Sequence, residues 1–362
     1  MMQCLARARS LVWFCGVFAA VSLGLGSCNN GSGLASSEGP PSDSTPTDTT
    51  PPQPPPDTTP PPDTTTPPPV DSNPPGPSQT CAAIVPAGVA DPTGLPFGPT
   101  HIPPERFGGT YGGSFNGTQI SAVLDNGADC LIPYLEAARQ AHTRVFINLT
   151  GNEQFLRDAN GFSLTKWKTR VDRFRGDSIE PYIADGTILA HLLVDEPNDK
   201  GNWSGKTVPL PDIEEMARYS KEIWPDMATY IRTKPDFLIG YSYPHLDALW
   251  FHYLPRFGPI DQFITEWYGQ AHALGLVVIG GLNILNGGDP STGIPGKEPG
   301  RFAMSPDMIR SFGEKLLEQP GQCAFLLWEW QDALLARPDI KAAIDELGAK
   351  ARAYPAASCH KQ

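Results

Sequence analysis

Two apolar runs in this sequence end in an acid: one closes on Val194-Asp195-Glu196-Pro197, the other on Leu327-Trp328-Glu329-Trp330. Side chains alternate along an extended strand, so Leu192, Val194 and Glu196 share one side of the first run. Phe325, Leu327 and Glu329 share one side of the second. If those sides face a common space, two carboxyl groups converge. Two carboxyls held together do not titrate alike, because burial and mutual repulsion push their proton affinities apart. The one that keeps its proton can donate it to a leaving oxygen. The one that stays ionised can attack a carbon or draw a proton from water.

A strand ending in Asp-Glu-Pro, followed by a later strand ending in an aromatic-flanked Glu, resembles the large clan of retaining barrel glycosidases. In that clan the acid/base Glu often stands in Asn-Glu-Pro, and the nucleophile Glu lies near the end of a later strand, usually the fourth and seventh respectively. The resemblance implies that Glu196 is the acid/base and Glu329 the nucleophile. It also implies a polysaccharide or glycan as substrate. It rests on two short motifs and the fold, a few dozen residues in all, and Asp195 stands where the clan has a sugar-binding Asn. Carboxyl oxygens about 5 Å apart would suit retention of configuration, and about 6.5–9.5 Å inversion. The alternative function is a non-catalytic glycan-binding or envelope-interaction protein on the same scaffold.

The elements that must position these acids are short apolar runs alternating with amphipathic stretches. Strands are expected over 94–100, 144–150, 188–196, 228–233, 246–253, 276–283 and 323–330. Helices are expected over about 130–142, 164–183, 211–224, 261–274, 306–318 and 333–354. Strands alternating with helices of ten or more residues indicate βα units and a parallel sheet. The fold class is therefore α/β, a (β/α)8 TIM-type barrel with allowance for irregularity; an open doubly wound sheet is the runner-up. Seven strands are countable, which puts Glu196 on the third, and an eighth is sought in 82–89. The connection from Thr233 to Leu246 is too short for an ordinary helix. In a parallel barrel the site lies at the carboxyl ends of the strands. Asn148, Arg232 and Asn283 are polar residues at such ends and, with Asp195, are candidate substrate ligands. Trp203 and Trp330, next to the two acids in sequence, are the candidate platforms for a sugar face. Glu266, in a helical stretch, is assigned a structural role.

The chain has 362 residues and a net charge of −12. Its first 27 residues read as a signal peptide: Arg7 and Arg9, then the apolar run Leu11 to Leu25, then Gly26-Ser27. The run is too short to span a bilayer, which takes roughly 20 apolar residues. Cys28 follows at once, and the arrangement resembles the lipobox of bacterial lipoproteins. The resemblance implies lipid on Cys28, export, and attachment to a bacterial membrane, with Asn29 favouring the outer membrane or cell surface. Residues 28–80 are dominated by Pro, Thr, Ser and Asp and contain no Lys or Arg. Such a segment buries too little apolar surface to order itself, and its prolines make it an extended spacer. Residues 81–362 remain as one domain of barrel size, expected to act as a monomer.

Several function classes are excluded. No basic stripe suits nucleic acid. No Gly-X-Gly-X-X-Gly or phosphate loop follows a strand, no Gly-X-Ser-X-Gly stands at a strand end, and no Cys/His set has metal spacing. Neither a cofactor nor a metal is therefore expected. The domain's four cysteines, Cys81, Cys130, Cys323 and Cys359, suggest two disulfides in an exported protein. Three pairings are open, and Cys81 with Cys359, at the two ends of the domain, is the favoured one.

Overall fold

The computed structural model describes residues 82–109, 114–122, 130–355 and 358–361. The signal segment 1–27, the lipidation candidate Cys28, the 28–80 spacer and Cys81 lie outside them. Eight strands form one sheet: β1 (Phe97–Pro99), β2 (Gly117–Ser121), β3 (Arg144–Asn148), β4 (Ile188–Asp195), β5 (Ala228–Arg232), β6 (Ala248–Trp250), β7 (Val277–Asn283) and β8 (Gln322–Trp328). All pair in parallel, in the order β1-β8-β7-β6-β5-β4-β3-β2. The two outer strands of that order meet. Asn116 N–H donates to Phe97 O at 3.0 Å, His101 N–H to Gln119 O at 2.8 Å, and the Thr118 hydroxyl to Pro99 O at 2.7 Å. The result is a nearly closed (β/α)8 barrel.

The eighth strand is not where the sequence suggested. Residues 82–89 form no strand, and β2 supplies the missing element. Gly117-Thr-Gln-Ile-Ser carries one large apolar residue, so it lacks the alternation that marks a strand. Its neighbourhood is buried nonetheless, with Asn116 and Thr118 hydrogen-bonded. Asn116 accepts from Phe97 N–H and donates to the carbonyls of Asp91 and Thr93. A buried polar group with partners avoids most of the desolvation penalty that would keep it at the surface.

Two apolar layers follow from the alternation. Phe146, Ala190, Leu192, Ala228, Tyr230, Ala248, Trp250, Ile279, Ala324 and Leu326 fill the lumen. The outward faces pack on the helices Leu131–Gln140, Leu164–Asp172, Leu210–Ile223, Pro306–Leu317 and Pro338–Ala353. The helical stretch expected over 164–183 is divided, with Glu180–Ala184 as a separate short helix. Strands β7 and β8 approach closely at Gly281, where a Cβ would sit 2.0 Å from Leu326 O.

The chain's end closes the lower mouth. Cys323 at the start of β8 is disulfide-bonded to Cys359, with Cα atoms 5.1 Å apart, and Cys359 belongs to the lumen layer. This replaces the expected Cys81–Cys359 pair: the tail turns under the barrel rather than back to the domain's other end. Cys130 is also disulfide-bonded. Buried Asp247, just before β6, receives Thr229 N–H at 2.9 Å and the Lys221 ammonium at 2.7 Å, and Lys361 N–H reaches it at 3.4 Å.

Candidate active site

With β2 counted, Glu196 follows the fourth strand. A bulge on β4 decides how the local acids point. Leu192 pairs with Tyr230, yet the next pair is Asp195 with Arg232, so β4 holds one extra residue. A bulge of this kind re-aims the residues beyond it. The expected face Leu192-Val194-Glu196 is therefore broken, since Leu193 and Val194 both pack into the outer layer. Asp195 and Arg232 meet as a two-pronged ion pair, Nε to Oδ1 and Nη2 to Oδ2 at 2.6 Å.

Glu196 stands just past the bulge with φ of +41°, a left-handed conformation uncommon for a side chain of this kind. Three hydrogen bonds hold it there. Its N–H donates to Arg232 O at 2.9 Å, while its carbonyl accepts from Asp199 N–H and from the Trp203 indole, both at 3.0 Å. Its carboxylate lies 3.6 Å from Arg232 Nη2. Burial raises its proton affinity. The Arg232 charge opposes that, the neighbouring Asp195, Asp199 and Glu153 reinforce it, and the net shift is upward. Glu153 is likewise raised, chiefly by burial.

Glu329 lies at the opposite side of the mouth, one residue beyond β8. The expected face Phe325-Leu327-Glu329 does not look into the lumen: Phe325 and Leu327 pack outward, while Leu326 and Trp328 belong to the lumen side. Glu329 is set by its partners instead. Lys297 Nζ is hydrogen-bonded to Oε1, and His101 Nδ1 is 3.3 Å from Oε2. Burial alone would raise its proton affinity, but the hydrogen bonds and charges of His101 and Lys297 outweigh it. Glu329 is held below the ordinary carboxylate range.

Strands four and eight stand four places apart in either direction round the ring, so the two glutamates face each other across it. Eight strands about 4.8 Å apart and tilted about 36° make a ring roughly 15 Å wide. A continuous floor joins the two sides. Arg232 lies over the Trp250 ring at 5.1 Å, Trp250 contacts His252 at 6.0 Å, His252 contacts Trp328 at 6.4 Å, and Lys297 lies over Trp328 at 4.8 Å. His252 is held neutral, first by burial and then by the charges of Arg232 and Arg256. Its Nε2 is 3.4 Å from the Asn283 amide nitrogen; because Asn283 Oδ1 accepts from Asn286 N–H, that amide nitrogen is the donor. The His252 proton then belongs on Nδ1, a buried atom with no hydrogen-bond partner among the described residues.

Beside Glu196 opens a cleft of about 380 Å³, its mouth included, lined among others by Arg232, Lys234, His252, Phe257 and Trp267. Of the residues expected in the site, Glu196, Arg232 and Asp195 come together here, and Asn283 reaches it through His252. Asn148 does not join them, since its side-chain oxygen accepts from Thr150 N–H and Gly151 N–H, both at 3.0 Å, and organises the loop after β3. Trp203 is no platform. It is fully buried, edge-on to Phe162 at 5.6 Å, and can only support the Glu196 backbone. Trp330 is half-buried beside Glu329, its backbone N–H donating to Thr100 O at 2.9 Å. Glu266 pairs with Gln262 on the surface of the helical segment, away from the cleft lining.

Sequence reasoning missed His101, Glu153, Lys297 and His252. His252 had a usable signal, as it continues the alternation of Ala248 and Trp250. Lys297 had none, because it comes from the long loop after β7. The clan resemblance holds for the strand that carries Glu196 and departs at the other acid: β7 ends in Asn283, and Glu329 comes from its neighbour β8, where Trp328 pairs with Asn283.

No protein-family model matches the sequence, and no curated protein matches it. Solved structures match the chain at low similarity. An endocellulase from Pyrococcus horikoshii in complex with cellotetraose is 12% identical over 65% of this chain and 83% of its own, with a TM-score of 0.44. A putative alpha-L-fucosidase from Bacteroides thetaiotaomicron is 13% identical over 77% of this chain and 98% of its own, with a TM-score of 0.46. A xylanase from Paenibacillus barcinonensis is 13% identical over 68% of this chain and 88% of its own, also at 0.46. Likenesses this distant leave the chemistry to be argued from the site itself.

Proposed function

We propose that this protein is a lipid-anchored glycan hydrolase in which Glu196 donates the proton and Glu329 acts as the ionised carboxylate. The observation that carries the reading is the opposite bias of the two acids across one barrel mouth. Burial raises the proton affinity of Glu196, while the hydrogen bonds and charges of Lys297 and His101 lower that of Glu329. A leaving glycosidic oxygen needs a proton at one side and a carboxylate at the other, which attacks the anomeric carbon or activates water. Arg232 limits how far Glu196 rises, and Asp195 keeps Arg232 in position. Lipid on Cys28 and the 28–80 spacer would hold the domain away from the outer membrane or cell surface, as a monomer facing an external polymer. The test is hydrolysis of a polysaccharide panel by the protein and by its Glu196→Gln and Glu329→Gln variants. Full activity in both variants rejects the assignment, and radiolabelled palmitate that fails to enter the protein through Cys28 rejects the anchor.

One observation favours a second reading, a non-catalytic glycan receptor. Both carboxylate oxygens of Glu329 already have nitrogen partners, Lys297 on one and His101 on the other. Tight binding of a glycan without turnover, unchanged in Glu329→Gln, would support it.

A further inference from the structure

We infer that the cleft beside Glu196 is built for an acidic glycan, one whose sugars carry carboxylate or sulfate groups. The inference rests on the glycan reading above and adds the class of sugar. Most cations of the domain are paired: Asp195 holds Arg232, Glu329 holds Lys297, Glu298 holds Arg301, and Glu215 holds both Lys168 and Arg218. Lys234 and Arg256 are two of those that have no carboxylate within ion-pair distance among the described residues, and these two stand together at one ring. They flank one aromatic ring at the cleft, with Lys234 Nζ 5.7 Å and Arg256 Cζ 5.8 Å from the Phe257 centroid.

Phe257 is half-buried and leans on Trp267 at 5.1 Å, and Lys234, Phe257 and Trp267 all line the cleft that contains Glu196. Arg256, next to the cleft residue Phe257 in the chain, lines a second groove with Asn286. Its charge is felt at His252 on the site's floor. A ring-and-cation rim of this kind suits a sugar that stacks its apolar face while an anionic substituent meets an ammonium or guanidinium. The chain as a whole is acidic, at −12. A polyanion would be repelled from much of such a protein, so Lys234 at the cleft and Arg256 across the Phe257 ring from it offer a place where it can approach.

The experiment is retardation of the full-length protein in native gels containing polygalacturonate, chondroitin sulfate or neutral hydroxyethylcellulose, with and without 0.3 M added salt. The proposal expects retardation by at least one polyanion, lost with salt, and weakened about tenfold in Lys234→Gln/Arg256→Gln. The two polyanions separate carboxylate from sulfate as the recognised group. Retardation only by the neutral polymer, or a polyanion effect equal in the double variant, overturns the proposal. In that case cleavage of the neutral polymer that is lost in Glu196→Gln leaves the hydrolase reading standing. No binding or cleavage of any glycan removes both. Circular dichroism of the double variant, whose substituted residues are at the surface or rim, checks that folding is intact.

Discussion

The two sides of the barrel mouth treat their glutamates in opposite ways. On the β4 side a bulge turns Asp195 onto Arg232, so the guanidinium is already bound when Glu196 meets it at 3.6 Å. On the β8 side Glu329 has two partners of its own, the Lys297 ammonium on one oxygen and the His101 ring on the other. Burial acts on both acids, yet only Glu329 has enough local positive charge to overcome it. The lesson is that proton affinity in this mouth is set by which cation is free, not by which acid is deeper. Arg232 is committed elsewhere, and Lys297 is not.

The largest effect expected from breaking that asymmetry is on turnover. Glu196→Gln or Glu329→Gln should lower kcat/KM on the cognate glycan by about 10²–10⁴-fold, the usual worth of a positioned acid or base. Steady-state kinetics against the unsubstituted protein measures it. The next effect is on stability. Arg232→Met leaves Asp195 without its partly buried partner, which should cost about 1–3 kcal/mol in urea unfolding. Asp195→Asn together with Arg232→Met should recover part of that loss.

A third measurement separates the site's own pH response from that of the fold. His191, fully buried against Trp167 and bonded to Ser220, is held neutral, its pKa lowered to about 3 by burial. In the unfolded chain it gains a proton near pH 6.5. Its contribution is therefore complete above pH 6.5 and is lost as pH falls toward 3, by up to about 1.4 kcal/mol per pH unit. His191→Gln should flatten that part of the stability curve while leaving the acid limb of activity, governed by Glu329, where it was. The smallest effect is expected from Lys297→Gln. With one cation gone, Glu329 moves back toward the ordinary carboxylate range, and the acid limb of the kcat/KM profile moves to higher pH.

The same contrast explains what could be read from sequence. The barrel was legible because seven strands carry Val-, Ile- and Leu-rich runs spaced by helices. Strand β2 was not, because Asn116 and Thr118 are buried through hydrogen bonds that no hydrophobic pattern reveals. Glu196 and Glu329 were visible as acids ending apolar runs. Their orientation was not, since the extra residue at Leu193-Val194 breaks the alternation used to assign faces. Trp203 looked like a sugar platform only because it is near Glu196 along the chain; in space it lies beneath it. The partners of Glu329 come from the β1 and β7 loops, His101 and Lys297, and such distant contacts leave no local trace.

The most direct test of the central claim is a carbon-13 carboxyl titration of the two glutamates by NMR, with resonances assigned from the Glu196→Gln and Glu329→Gln variants. The account predicts Glu196 titrating above an ordinary glutamate and Glu329 below it, with the Glu196 midpoint falling back toward the ordinary value in any condition that frees Arg232. A reversed order, or both midpoints on the same side of the ordinary value, would contradict the division of labour argued here.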